Sequence, residues 1–264
     1  MRIIISPAKK MTEDGDTLQY SELPVLINKT EELFKYLSER SYEELKNIWR
    51  CNDKIAALNF ERIKDTDIHG GVLTPAVIAY EGIQYQYLSP KTLEKNALDY
   101  LQERLRILSG FYGVLKPMDG VVPYRLEMQS ELCPPVMTEA AHSGADCGHN
   151  EPGTRSLYEF WGEDIYKEVF SGEDTVINLA SKEYSKAVEP YLRDRDRFIN
   201  CSFCELKDGK LRQKATMAKM ARGEAVRFMA ENNVCEPEGL KEFSRLGFSF
   251  EESFSDENSY VFVK

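Results

Sequence analysis

The chain is short of the residues on which much metal and hydrolase chemistry rests. It has three histidines among 264 residues, all in stretches that read as loop, which argues against a histidine-centred hydrolase. No Gly-x-Ser-x-Gly elbow, Walker loop, His-Glu-x-x-His helix or glycine-rich dinucleotide fingerprint occurs. No uninterrupted apolar run nears the roughly 20 residues a membrane helix requires. The opening Met-Arg-Ile-Ile-Ile-Ser-Pro meets charge too early for a secretory signal. Six cysteines at irregular spacing do not outline a disulfide framework, so reduced thiols and a cytoplasmic setting are expected. There is no internal repeat.

What is present suits a globular chain with a substantial core: 42% hydrophobic and 30% charged residues. The formal net charge of −10 argues against a protein that coats nucleic acid through diffuse positive charge. The charge is uneven, however. Acid gathers at Glu13–Asp16, Glu159–Asp174 and Glu231–Glu257, whereas Lys182 to Arg227 is a basic stripe able to hold phosphate in a cleft.

Patterning predicts a mixed α/β (α+β) fold in one compact domain over 1–264. It would have a central mixed sheet, an N-terminal helical insertion and C-terminal hairpins. Arg2–Ser6 reads as a buried strand, and apolar residues recur at helical spacing from Asn28 to Phe60, with a capping box at Ser41 and Glu44. Pro75–Tyr80 suits a central strand. A helix from Ser89 carries the stripe Leu93, Ala97, Tyr100, Leu101, Leu105 and Leu108, with Gly110 as its stop. Ser156–Phe170 reads as one amphipathic helix, Thr175–Ala180 as a strand and Glu183–Tyr191 as a short helix. Arg197–Leu206 and Lys210–Thr216 form a hairpin about Asp208-Gly209, Met217–Asn232 is helical, and Phe248–Phe254 pairs with Tyr260–Val263.

The densest segment runs from Arg106 to Met128, with glycines, prolines, basic residues and tyrosines close together. Its Leu-Ser-Gly-Phe-Tyr-Gly-Val-Leu-Lys-Pro-Met-Asp and Pro-Tyr-Arg-Leu-Glu-Met resemble the signature of the YaaA family of bacterial peroxide-stress proteins. Further pieces follow in family order: Ile5-Ser6-Pro7-Ala8-Lys9, Asp53-Lys54-Ile55-Ala56, Tyr80-Glu81-Gly82, Leu157-Tyr158-Glu159-Phe160-Trp161, Asn178-Leu179-Ala180-Ser181 with Glu183-Tyr184, and Ala221-Arg222-Gly223. The resemblance implies a soluble protein of mixed α and β structure that binds DNA and protects against peroxide by limiting intracellular iron.

Several residues are candidates for a site. The Ser109–Gly113 turn resembles the hairpin of a helix-hairpin-helix motif, in which glycine amides hold a DNA phosphate. Gly110 and Gly113 would supply those amides and Arg104, Arg106 and Lys116 the charge, independently of base identity. Pro117 disturbs that pattern, and a helix cap over the core is the alternative. Arg125 and Glu127 share one side of an extended segment and could orient a substrate or exchange a proton, or simply pair with each other. Lys9 follows the first strand, and Asn178, Ser181 and Lys182 end or follow another, where ligands of α/β sheets collect. Lys219 and Arg222 share a helix face. We expect Lys9, Arg125, Glu127, Asn178, Ser181, Lys219 and Arg222 to converge on one polar cleft.

Other features favour plain structure. Tyr158, Phe160 and Trp161 could stack on bases but more simply build core. Cys201 and Cys204 lie on opposite strand faces and cannot share a metal. Cys133, His142, Cys147 and His149 match no zinc spacing. No metal or cofactor is therefore expected, and no membrane. Two functions remain open: DNA binding to duplex or distorted DNA, and an enzyme acting on a nucleobase, nucleoside or other small polar ligand, with Lys9, Arg125 and Glu127 as catalytic candidates.

Overall fold

The computed structural model describes residues 1–132 and 155–264. In chain order its main elements are β1 (Arg2–Ile5), α1 (Ile27–Ser38), α2 (Tyr42–Trp49), α3 (Asp53–Asp65), α4 (Ile83–Leu88), α5 (Lys95–Arg104), β2 (Leu105–Ser109) and β3 (Gly113–Leu115). They continue with α6 (Leu157–Trp161), α7 (Asp164–Val169), β4 (Thr175–Asn178), α8 (Lys182–Ser185), β5 (Arg197–Lys207), β6 (Lys210–Arg212), α9 (Ala215–Glu231), β7 (Ser249–Phe250) and β8 (Ser259–Val263).

The main sheet has the order β7-β8-β5-β4-β1-β2-β3, with β6 on β5. Its five inner strands, β8, β5, β4, β1 and β2, are parallel, while β3, β6 and β7 add antiparallel edges. Parallel inner strands are covered on both faces, so they read as continuous apolar runs: Ile3, Ile4 and Ile5 are fully buried, as are Val176 and Ile177. From β1 the chain moves towards β2, and from β4 it moves the other way, towards β5. The carboxyl ends of adjacent β1 and β4 therefore frame a crevice of the kind where α/β folds bind ligands. Helices α1–α3 form the expected insertion after the first strand, with both halves of the Ser41–Glu44 capping box made.

Local patterns fail where burial is complete. Leu101, Leu105 and Leu108 are helically spaced, yet α5 ends at Arg104 and Leu105–Ser109 is a strand buried throughout. A strand apolar on both faces carries no period that distinguishes it from a helix. The helix-hairpin-helix expectation is corrected by the same fact: the glycine turn joins two antiparallel strands, β2 and β3. Ser89-Pro90 opens only a 3-10 turn, Pro90–Thr92, and α5 begins at Lys95. Pro75–Tyr80 lies off the main sheet; Thr74–Pro75 pairs with Gly120–Val121, and Ala76–Ala79 is a helical turn. The helix expected over Ser156–Phe170 breaks at Gly162 into α6 and α7, and the one over Glu183–Tyr191 shortens to α8 followed by a 3-10 turn. Both C-terminal hairpins form, Asp208 and Gly209 taking the positive φ their tight turn requires.

Candidate functional site

Beyond β1 the chain turns through Ser6-Pro7-Ala8-Lys9, and beyond β4 through Leu179-Ala180-Ser181. The two turns are tied together: Ser181 N donates to Ser6 Oγ at 2.8 Å, and the two hydroxyls lie 3.2 Å apart. Tyr85 of α4 donates its hydroxyl to Ser6 O at 3.0 Å. Helix α9 closes another wall. A Cβ on its Gly223 would collide with the Gln84 carbonyl and crowd Leu88 N, so only glycine lets α9 lie this close to α4. That approach carries the neighbouring Arg222 into the crevice. The third wall is the extended segment Tyr124–Glu127.

Together these walls enclose a cleft of about 420 Å³. Lys9, Arg125, Glu127, Ser181, Lys219 and Arg222 all line it, so six of the seven residues expected to converge do so. Asn178 does not. Its amide is buried, donating to Asn200 Oδ1 at 2.8 Å while its oxygen accepts from Ala180 N at 2.9 Å, and so it shapes the end of β4. Lys182 is exposed on α8, next to the lining residues Ser181 and Glu183.

The charges fall into two groups. Glu127 is held between Lys9, at 2.7 Å, and Arg125, at 3.2 Å, and Lys10 pairs with Glu81 at the rim. Arg222 and Lys219 have no ion-pair partner among the described residues. Burial pulls the Arg222 guanidinium below its ordinary pKa, partly offset by nearby Cys201. Glu183, also in the lining, is half-buried; desolvation raises its carboxyl and the neighbouring Glu127 raises it further, while the Gln129 and Met128 amides and Lys9 oppose the rise in part. The cleft floor is aromatic. Tyr124 OH lies 2.6 Å from Ser109 Oγ and 2.8 Å from Tyr80 OH, and burial pushes it up to about 12. Tyr85 and Tyr184 are raised further by the same cause, so these hydroxyls are neutral hydrogen-bonding groups.

Ten buried side-chain polar atoms lack a hydrogen-bond partner among the described residues. Four belong to residues lining this cleft: Gln84 Nε2, Arg125 Nε, Glu183 Oε1 and Arg222 Nε. Native interiors leave few such atoms unpaired, because each costs on the order of 1–3 kcal/mol. Four of the ten lie in this one crevice.

The glycine turn is differently arranged. Arg106 is 6% exposed and donates to the Leu105 and Glu103 carbonyls at 2.8 and 3.2 Å. Arg104 packs over the Tyr100 ring and reaches the Met1 carbonyl, and Lys116 pairs with Glu22 at 2.6 Å. The Phe111 and Tyr112 amides donate to Ser109 Oγ. Gly110 O accepts from the Trp161 indole at 3.0 Å, and Gly113, at φ +72°, lies under the Trp161 ring. The charges expected to meet a phosphate, and the Phe111 and Tyr112 amides within the turn, are therefore engaged with the protein itself. Trp161 is core, as its helical spacing implied.

Cys201 is buried and its thiol pushed up to about 12, which leaves it protonated and poorly reactive. Among the described residues, no three His, Cys, Asp or Glu side chains gather as a metal set. Cys133, His142, Cys147 and His149 lie outside the described residues. No helix among the described residues is long and apolar enough to cross a membrane.

Fold and site together define a mixed α/β protein with a polar cleft at the carboxyl ends of its parallel strands. The sequence model described as "Peroxide stress protein YaaA" matches residues 1–254. A UPF0246 protein of Agathobacter rectalis is 50% identical over 264 residues, spanning 100% of this chain and 99% of its own. UPF0246 proteins of Desulfitobacterium hafniense and Ligilactobacillus salivarius are each 48% identical over 264 residues, covering all of this chain and 98% and 100% of theirs. The chain belongs to the peroxide stress protein YaaA family.

Sequence reasoning passed over Glu183, Gln84 and Tyr85 as site residues. Glu183 stood in a quoted family-like piece, two residues beyond Ser181, and that adjacency was its one signal. Gln84 and Tyr85 gave none, since only the packing of α4 on α9 brings them to the cleft.

Proposed function

We propose that this peroxide stress family member binds one small polar molecule, such as a nucleobase or nucleoside, in the cleft and exchanges a proton with it. Glu183 is the group that carries the proton. It is a half-buried carboxyl beside a second, ion-paired carboxylate, Glu127, and two such groups in unlike environments divide naturally into a protonated and a charged partner. Glu127 then serves chiefly to position Lys9 and Arg125. The observation that carries the reading is the unpartnered Glu183 Oε1 in a lining that lacks three further hydrogen-bond partners. Protection under peroxide, with the limiting of intracellular iron that the family resemblance implies, would follow from what this site does to its ligand in the cytoplasmic setting expected from the cysteine usage.

The test has two parts. Carbon-13 NMR of labelled glutamate carboxyls should show one group titrating above the usual carboxylate range and absent from Glu183→Gln. Nucleobases and nucleosides incubated with the protein and read by mass spectrometry should show conversion that Glu183→Gln loses. A Glu183 carboxyl titrating normally, together with no conversion of any compound, would defeat the reading.

A second reading, DNA binding, is favoured by one observation. Lys182, Lys186 and Lys219 are exposed near the cleft without ion-pair partners among the described residues. DNA would then rest on these lysines, independently of base sequence, and not on the glycine turn. Binding of duplex and bubbled DNA should fall steeply with salt and weaken on Lys182→Ala/Lys186→Ala. Absence of binding at low salt would dispose of it.

A further inference from the structure

We propose that the cleft's ligand carries a phosphate monoester, seated between Arg222 and Lys219 with the Gln84 amide beside it. The inference rests on the reading that one small molecule occupies the cleft. Three facts point to an acceptor-rich anion and away from a neutral group. Of the four unpartnered atoms, three are donors, Gln84 Nε2, Arg125 Nε and Arg222 Nε, so what completes the lining must mainly accept hydrogen bonds. The cleft's lysines and arginines number five against three glutamates, so cations outnumber anions whether or not Glu183 holds a proton. Glu127 is shared by Lys9 and Arg125, and Glu81 pairs with Lys10, which leaves Arg222 and Lys219 as the lining cations without an ion-pair partner among the described residues.

The position of Arg222 excludes a simple surface role. A guanidinium withdrawn from water needs a carboxylate, a phosphate or several carbonyls to offset its desolvation. Nothing among the described residues supplies these, although Gly223 is there to let α9 bring Arg222 inward. Lys219 lies one turn earlier on the same helix face, exposed and flexible, and can fold over an anion once it is seated. Two cations without ion-pair partners match a phosphate dianion better than a carboxylate. The planar fork of Arg222 offers two parallel donors to two phosphate oxygens. Glu183, in the same lining, is left for the polar body of the same molecule.

The experiment uses the whole chain. Calorimetry at neutral pH measures binding of the four nucleoside 5′-monophosphates, their parent nucleosides and a twelve-nucleotide single strand, and thermal unfolding is followed in inorganic phosphate and in acetate. At least one monophosphate should bind about tenfold or more tightly than its nucleoside, a difference on the order of 1.4 kcal/mol. Phosphate should raise the unfolding temperature more than acetate does. Arg222→Gln should abolish both preferences, and Lys219→Gln, at an exposed position that folding does not need, should reduce the monophosphate preference about threefold. Arg222→Lys keeps a charge and should retain part of the response. If Arg222→Gln fails to fold, Lys219→Gln and Arg222→Lys decide the matter.

Equal binding of nucleosides and monophosphates would overturn the proposal. So would equal stabilisation by acetate, which marks a carboxylate site, or a strand that binds through Arg222 when monophosphates do not. Unchanged preference in the Arg222 and Lys219 variants would also overturn it. A phosphate preference in the parent chain with no conversion of any nucleobase or nucleoside would fault only the proton-transfer reading. Conversion of nucleosides without any phosphate preference would fault only this one.

Discussion

The glycine turn and the ligand cleft are built from the same kinds of residue, and they do opposite things. Both have arginine, lysine, glycine and tyrosine in short family-like segments. At the turn the residues named have protein partners, with Arg106 Nε alone unpaired: Arg106 has two carbonyls, Ser109 two amides, Gly110 the Trp161 indole and Lys116 a glutamate. In the cleft four buried side-chain atoms lack one, on Gln84, Arg125, Glu183 and Arg222. A charge-rich, glycine-rich stretch is thus a site only where the fold leaves its hydrogen bonds incomplete. At the turn, sequence character reflects a demanding piece of packing.

The contrast makes turn variants a matter of stability and cleft variants a matter of ligand. The largest effect is expected at Gly110, where a Cβ would stand 2.6 Å from Leu126 O. Gly110→Ala should cost about 3 kcal/mol in denaturant unfolding, and a loss below about 0.5 kcal/mol would show that the turn is not tightly packed.

Next comes a pH effect beneath the turn. Burial pushes the Asp119 carboxyl up to about 7, the Lys116 amide opposing it in part. A carboxyl raised in the folded state favours the protonated form. Its contribution is most favourable at acid pH and is lost as pH rises from the usual carboxylate range through about 7. Asp119→Asn should remove that decline and still accept from the Lys116 amide; parallel stability–pH curves for parent and variant would disprove the shift.

Smaller effects belong to the cleft. Arg222→Leu removes a buried cation without a partner, and should leave stability unchanged or raise it by about 1 kcal/mol. A loss of several kcal/mol would mean that Arg222 holds the fold and not a ligand. Glu183 follows the same sign as Asp119, since desolvation and Glu127 raise its carboxyl. Stability should therefore fall as pH passes upward through its titration, and Glu183→Gln should flatten that fall. The smallest change is expected for Lys116→Ala, which breaks a half-exposed ion pair with Glu22 and should cost about 0.5 kcal/mol or less, screened by salt.

The sequence determined the elements that are amphipathic or punctuated. The capped helices of the N-terminal insertion, the Asp208-Gly209 hairpin and the first buried strand follow from period, cap and turn chemistry, which act over a few residues. It also determined most of the cleft's membership, because Lys9 and Ser181 follow strand ends and Lys219 and Arg222 share a helix face. Tertiary structure decided the rest. Leu105–Ser109 became a strand because a segment buried on both sides has no period of its own, and its neighbours β1 and β3 supply the hydrogen bonds that choose its shape. Whether an arginine serves core or ligand was settled in the same way. Arg106 and Arg222 are both withdrawn from water, but backbone carbonyls surround the first, while the close contact of α9 with α4 leaves the second facing a cavity. Partners brought together from distant parts of the chain decide that difference, and no local pattern encodes them.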